Sequence, residues 1–235
     1  MGAKDRLYAD IMAVHPEVTG SCLLVIVKQP DGTTVKFIVD CGLFQERKYS
    51  KNNESLPFIP ENIDFCLVTH NHVDHTGRLP FLVSKGFNKE IYTSETTAKL
   101  LPYALEDSYK VLKDVYKRQN KAPLYSESDV IQTTKLVHPC KFQTTVQIRE
   151  NIKATFFMNG HLMGAASILV QISYPGYEDI NLFFTGDYNG KNMFFDVPAL
   201  PDWVLDLPLT LVQESTYGDM DSSEISTYFS IPKGK

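Results

Sequence analysis

Three histidines and an aspartate fall within six residues, His70-Asn71-His72-Val73-Asp74-His75. The run directly follows an apolar stretch, Phe65–Thr69, that reads as a strand. In extended backbone, residues two apart point the same way, so His70, His72 and Asp74 can project together from the strand's end. A turn after Asp74 would swing His75 to another side. Two imidazoles then converge on one metal ion, and the Asp74–His75 pair reaches a second. Imidazole with carboxylate suits zinc, with manganese or iron as substitutes. An incidental polar loop is a poor account of four such groups interleaved so closely.

Other candidates stand further along. His161 lies in Asn159-Gly160-His161-Leu162-Met163-Gly164, Asp187 ends Phe184-Thr185-Gly186-Asp187, and Asp40 precedes Cys41-Gly42 at the end of an apolar run. Taken singly, His161 reads equally well as a loop histidine, Asp187 as a turn cap and Asp40 as a strand-end turn. His15 and His138 match no pattern and read as structural or surface residues.

The elements that must position these groups follow from periodicity. Short apolar runs at Leu7–Val14, Leu23–Val27 and Val35–Val39 read as strands, and Pro30-Asp31-Gly32 joins the latter two as a hairpin. Leu105, Tyr109, Leu112 and Tyr116 share one face of a helix of about four turns. Pro102 is expected to start or kink that helix. Ser126 with Asp129 reads as a capping box opening a second, short helix. Strands return at Phe142–Ile148, Ile152–Phe157, Ser167–Ile172, Asn181–Phe184 and Leu209–Val212. Strands, then helices, then strands predict an α/β fold of two sheets with helices packed outside them.

Composition bounds the rest. The 235 residues are 43% hydrophobic and 22% charged, so the chain is globular and long enough for one large domain. No apolar run approaches a membrane span, no secretory leader is visible, and Arg6 stands where a myristoylation motif wants Ser or Thr. A cytoplasmic protein without membrane partners is expected. Cys22, Cys41, Cys66 and Cys140 are scattered singly and read as buried free thiols of a reducing compartment. The net charge of −5 offers no basic stripe except Lys110, Lys113, Lys117, Arg118 and Lys121, which read as a solvated helix face. A phosphate substrate would need its positive partner from metal ions or from another part of the protein.

Taken together, the motifs resemble those of metallo-β-lactamase-fold hydrolases. His70-x-His72-x-Asp74-His75 followed by Thr76-Gly77-Arg78-Leu79-Pro80 is similar to the family's signature loop. Val39-Asp40-Cys41-Gly42, the His161 segment and the Asp187 segment are similar to its other motifs, in the family's order. The resemblance implies a four-layer αβ/βα sandwich. It also implies a zinc held by His70, His72 and His161, and a second held by Asp74 and His75. Asp187 would bridge the two, and Asp40 would support the site from behind. Asp74 and Asp187 would then serve the reaction itself, hydrolysis by a hydroxide held between the metals.

Gln213-Glu214-Ser215-Thr216-Tyr217-Gly218-Asp219 and Glu17-Val18-Thr19-Gly20-Ser21 resemble motifs of the β-CASP branch, which processes nucleic acids. That likeness implies a catalytic role for Glu214, a ribonuclease activity and RNA as substrate. It divides the chain into a metallo-β-lactamase-like domain over 1–212 and the start of a β-CASP-like region over 213–235. In that branch a later insertion carries a general-acid histidine, and a further histidine ligand follows it. No histidine follows His161 here, so an incomplete fold at the C-terminus and an incomplete second zinc site are expected. Two rival readings stand beside this one: a thioester or lactam hydrolase of the same fold, and a protein with weak activity or none, either a truncated product or an interaction partner of an active paralogue.

Overall fold

The computed structural model describes residues 6–15 and 17–216. Strand β2 (Leu23–Lys28) and strand β3 (Thr34–Val39) pair antiparallel across the Pro30-Asp31-Gly32 turn, in register from Leu23↔Val39 to Lys28↔Thr34. Gly32 takes φ +88, and the Asp31 carboxylate accepts from both Thr33 N and Oγ1. Along this hairpin Val25, Val27, Phe37 and Val39 point to one side, while Leu24, Ile26 and Ile38 point to the other. Both faces are apolar, so the sheet is covered on both sides.

Six strands form the first sheet in the order β1-β2-β3-β4-β5-β6, with β1 at Tyr8–Ala13, β4 at Phe65–Leu67, β5 at Ile91–Ser94 and β6 at Val137–Cys140. Pairing from β3 to β6 is parallel. The second sheet runs β11-β10-β9-β8-β7, with β7 at Thr145–Arg149, β8 at Ile152–Met158, β9 at Ala166–Ile172, β10 at Ile180–Phe184 and β11 at Leu209–Val212. Its β10–β11 pair is parallel and the rest antiparallel. Val25, Phe37 and Phe65 of one sheet meet Phe156, Ile168, Val170 and Phe184 of the other in the main core.

The outer face of the first sheet carries α2 (Leu79–Ser84), α3 (Glu95–Arg118) and α4 (Glu127–Lys135), whose Leu82, Leu101, Leu105 and Val130 cover Ile38, Cys66 and Val68. The outer face of the second sheet is covered differently. Phe157, Leu169 and Phe183 pack against Val204 of the single-turn α5 (Asp202–Leu205), with Leu200 and Leu207. The layers are therefore α/β/β with a thin fourth, and the protein is an α/β sandwich of two mixed sheets.

Several expectations hold and several shift. Ser126 and Asp129 do form a capping box, each side chain meeting the other's backbone N–H. All four cysteines are free and buried. Helix α3 begins seven residues before Pro102, however, and runs through it. The Ser94 hydroxyl accepts from Thr97 N and thereby starts the helix, and the buried Leu101 and Leu105 hold it across the residue that lacks a donor. The strand expected over Phe142–Ile148 begins only at Thr145, because Gln143 turns the backbone at φ +55. Strands β5 and β6 have no counterpart in the sequence reading. The start of the expected 213–235 region is described as far as Thr216; Tyr217, Gly218, Asp219 and the remainder lie outside the described residues.

Between β4 and α2 the chain forms α1 (Val73–Thr76), one helical turn that carries Asp74 and His75. Its backbone rests on the segment after β3: Cys41 N donates to His75 O at 2.8 Å, Leu43 N to Val73 O at 2.9 Å and Ser21 N to Asp74 O at 2.9 Å. Arg78 follows, fully buried, donating through Nε to Gly42 O and through Nη1 to Asn52 O. Gly42 allows this stacking, since a Cβ there would lie 1.6 Å from Asp74 O, a backbone atom that cannot step aside. Gly42→Ala is accordingly expected to cost about 3 kcal/mol, the upper end for overpacking. Gly190→Ala, with open space around it, should stay within about 0.5 kcal/mol. Urea midpoints at unchanged slope measure both, and equal midpoints would refute the close stacking.

Candidate metal centre

The site lies where the ends of β3, β4, β8 and β10 meet. Asp40, one residue after β3, takes φ +62, a left-handed conformation uncommon outside glycine. There its buried carboxylate receives three donors. Thr69 N reaches Oδ1 at 2.8 Å, Thr69 Oγ1 reaches Oδ2 at 2.8 Å, and His75 Nδ1 meets Oδ2 at 2.7 Å. Asp40 thus joins the segment after β4 to the imidazole on α1.

Thr69 determines the state of His70. Its hydroxyl proton is committed to Asp40, so at 3.0 Å from His70 Nδ1 the same oxygen accepts, and Nδ1 carries the hydrogen. That tautomer leaves a lone pair on Nε2, which is buried and has no hydrogen-bond partner. Burial, reinforced by the neighbouring His75, His161 and His72, holds the His70 pKa far below the ordinary histidine value. The ring is neutral and presents an unshared lone pair.

What this lone pair faces is a set of further ligand atoms. One donor atom each from His70, His72, His161 and Asp187 lie within 4.8 Å of one another. His72 Nδ1 and His161 Nε2 are 3.2 Å apart, and Asp187 Oδ2 is 3.9 Å from His70 Nε2 and 3.7 Å from His161 Nε2. Burial alone would raise the Asp187 carboxyl. The hydrogen bond and charge of His75, with His161 and His72 beside it, hold it below the usual carboxylate value. A buried orphan imidazole nitrogen among two more imidazoles and a carboxylate fits a divalent metal such as zinc, and the residues present could hold one.

His75 joins from the other side. Its Nε2 is 3.3 Å from Asp187 Oδ1, so the ring spans the two carboxylates of Asp40 and Asp187. Burial works against a charged ring here, but Asp40 and then Asp187 outweigh it and raise the pKa to about 10. Of the remaining expected residues, Asp74 sits in the first turn of α1 with a half-buried side chain and is not in the converging set. Glu214 lies on the wall of an adjoining cavity of about 350 Å³, together with His15, Glu17, Asp40, Thr69, His75 and Asp187. Both of its oxygens are engaged, Oε1 by Tyr188 N at 2.9 Å and Oε2 by Thr216 Oγ1 at 2.5 Å. His15 packs edge-on against Phe44, and His138 of β6 packs at a tilt against Tyr92 of β5.

Two positioning residues escaped the sequence reading. Thr69 reads only as the last residue of an apolar run. Asn159 reads as part of a loop, yet it binds the two ligand loops together. Its Nδ2 donates to Thr185 O at 3.0 Å and Asp187 O at 2.9 Å, and its Oδ1 accepts from His161 N at 3.2 Å. On the other flank Ser94 and Thr97 both donate to Gly164 O, fixing the His161 loop to the start of α3. Thr69→Val removes the hydroxyl that sets the His70 tautomer. Zinc affinity, read by competition with a chromophoric chelator, should fall at least about tenfold, as for other residues that orient a ligand. Unchanged affinity would mean that the Nδ1 proton is held in some other way.

Comparison with known proteins agrees with this architecture. The sequence profile described as the metallo-beta-lactamase superfamily matches residues 16–141, more than half of the chain. Ribonuclease TTHA0252 of Thermus thermophilus is 31% identical over 86% of this chain and 42% of its own length. Endoribonuclease ysh1 of Aspergillus fumigatus is 30% identical over 86% of this chain and 22% of its length. The transcription termination factor FttA of Methanocaldococcus jannaschii is 31% identical over 87% of this chain and 30% of its length. The chain thus spans less than half the length of these relatives. Its histidine loop, its paired sheets and the profile match agree: the chain belongs to the metallo-β-lactamase superfamily, and the relatives it matches include a ribonuclease, an endoribonuclease and a transcription termination factor.

Proposed function

We propose that this chain carries the metal centre of a phosphodiesterase that cleaves RNA, with zinc as the resident metal at two neighbouring positions. The observation that carries the reading is the buried, unpartnered Nε2 of His70, prepared as a ligand by Thr69 and surrounded by His72, His161 and Asp187. Those four residues would hold one cation. His75, once a cation displaces its Nε2 proton, and a share of Asp187 would contribute to the second, with Asp74 added from α1 on the strength of the sequence pattern, leaving that site short of ligands. Bound there, the cations supply Lewis acidity towards the phosphate oxygens and lower the pKa of the attacking water.

The chain's own groups do the rest. Asp40 holds His75 by Nδ1, so that Nε2 is presented to Asp187. Asn159 fixes the backbone of His161 relative to Asp187. Glu214 accepts from Tyr188 N and so steadies the residue after Asp187, while its own carboxylate borders the cavity. We assign Glu214 to orienting groups at the reacting centre. RNA is favoured as the substrate because two of the relatives are named ribonuclease and endoribonuclease. Among the described residues no helix is long and apolar enough to cross a membrane.

Zinc-loaded protein is expected to turn over bis-p-nitrophenyl phosphate faster than nitrocefin. His70→Ala should lose most of its metal by elemental analysis, and Asp187→Asn most of its hydrolysis. Faster turnover of the lactam would move the assignment to a lactam hydrolase of the same fold. Equal metal content in His70→Ala and wild type would remove the metal assignment altogether.

A further inference from the structure

The loop after Asp187 carries large apolar side chains that face outward beside the metal ligands. Met193 and Phe194 are 84% and 83% exposed, Tyr188 is 45% exposed, and Met163, two residues after His161, is 64% exposed. Exposed single apolar residues are common on protein surfaces. Here, however, the loop that presents them is built into the site. Asn189 N donates to Asn159 O at 3.0 Å, and Asn192 Nδ2 donates to Gly160 O at 2.9 Å, one residue from His161. Gly160, at φ +78, makes room for this contact, since a Cβ there would lie 2.2 Å from Asn189 O.

Asn192 is the hinge of the arrangement. While its Nδ2 holds Gly160, its Oδ1 accepts from Phe194 N at 2.9 Å, an Asx turn that lifts Met193 and Phe194 off the surface. From Asn192 to Phe194 the backbone spans at most about 7 Å. Tyr188 is placed from the opposite side, its hydroxyl accepting from Gln213 Nε2 at 3.0 Å and its N–H donating to Glu214. Lys191, exposed between them, adds a cation. Exposed aromatic rings and a cation carried on one loop, tied to the segment of a candidate metal ligand, form a combination that binds unpaired bases and their backbone.

We propose that Phe194, with Tyr188 on the same loop, is the platform on which an unpaired base flanking the scissile phosphate stacks, so that this loop selects single-stranded substrate. The inference rests on the ribonuclease reading and adds to it a recognition element that the metal ligands do not supply. A patch for protein docking would present its apolar groups as one continuous face. Here the adjacent Met193 and Phe194 stand in a loop that also carries the polar residues Asn189, Lys191, Asn192 and Asp196.

The test is fluorescence anisotropy of a short labelled single-stranded RNA on the full chain, with an abasic strand of the same length as control and zinc content measured in parallel. Phe194→Ala should weaken RNA binding about tenfold, while Phe194→Trp retains it. Wild type should bind the abasic strand about as weakly as Phe194→Ala binds RNA. Equal RNA affinity in wild type and Phe194→Ala, with tight binding in both, overturns the platform and leaves the ribonuclease reading standing. Equal affinity accompanied by a change of oligomeric state in Phe194→Ala assigns the loop to protein contact, and also overturns it. Wild type that binds no single-stranded RNA removes both readings.

Discussion

A single buried carboxylate organises the site. Asp40 is 2% exposed and carries no cationic lysine or arginine partner among the described residues; its charge is met by Thr69 N, Thr69 Oγ1 and His75 Nδ1. An uncompensated buried charge costs several kcal/mol, so all three donors are held in place by the demand of that one group. The chain accepts a left-handed backbone at Asp40 to bring it there. Once Asp40 has the Thr69 proton, the tautomer of His70 follows, and once it has Nδ1 of His75, the opposite nitrogen must point at Asp187. A residue outside the converging ligand set thus fixes the orientation of two that face it.

The remaining ligands come from the other sheet, and their placement depends on how the sheets pack. Phe156, Ile168 and Phe184 lock β8, β9 and β10 against β2, β3 and β4, which brings the loops after β8 and β10 level with the end of β4. Ala166 N donates to Thr69 O at 2.9 Å, a direct backbone tie across the two sheets at the site itself. Gly186, at φ +56, lies against Thr69, and a Cβ there would meet the Thr69 side chain at 2.9 Å. The glycine before Asp187 is therefore required by the approach of the two sheets. It does not merely loosen a turn.

The sequence exposes this architecture unevenly, for physical reasons. Alternation along the β2–β3 hairpin and the Ser126–Asp129 capping box are local signals, and local signals survive folding. Strands β5 and β6 have four residues each, too short to show a period, and Pro139 in β6 reads against a strand although β6 is an edge, where proline is tolerated. The period-two argument for His70, His72 and Asp74 matches the geometry only in part. The chain leaves extended geometry at His72, which caps α1, so Asp74 rides a helical turn and only the two histidines converge with His161. Thr69 and Asn159 contribute hydrogen bonds between segments far apart in sequence, and no spacing rule points to such partners.

The charge balance of the site gives the last link from structure to chemistry. His70 and His72 are held towards neutrality by burial and by their neighbours, whereas Asp187 is held ionised. The cationic group between Asp40 and Asp187 is His75, whose ring is raised to about 10. Without metal, then, the pocket offers little positive potential to an anion, on a chain whose net charge is −5. On the proposed reading, a phosphodiester is drawn in only after cations occupy the imidazole cluster and reverse the local field. The same lone pairs that would bind metal would therefore make the pocket hospitable to a polyanion. On the same reading, bases bound at the rim through Phe194 and Tyr188 would be held independently of that field and on the same strand.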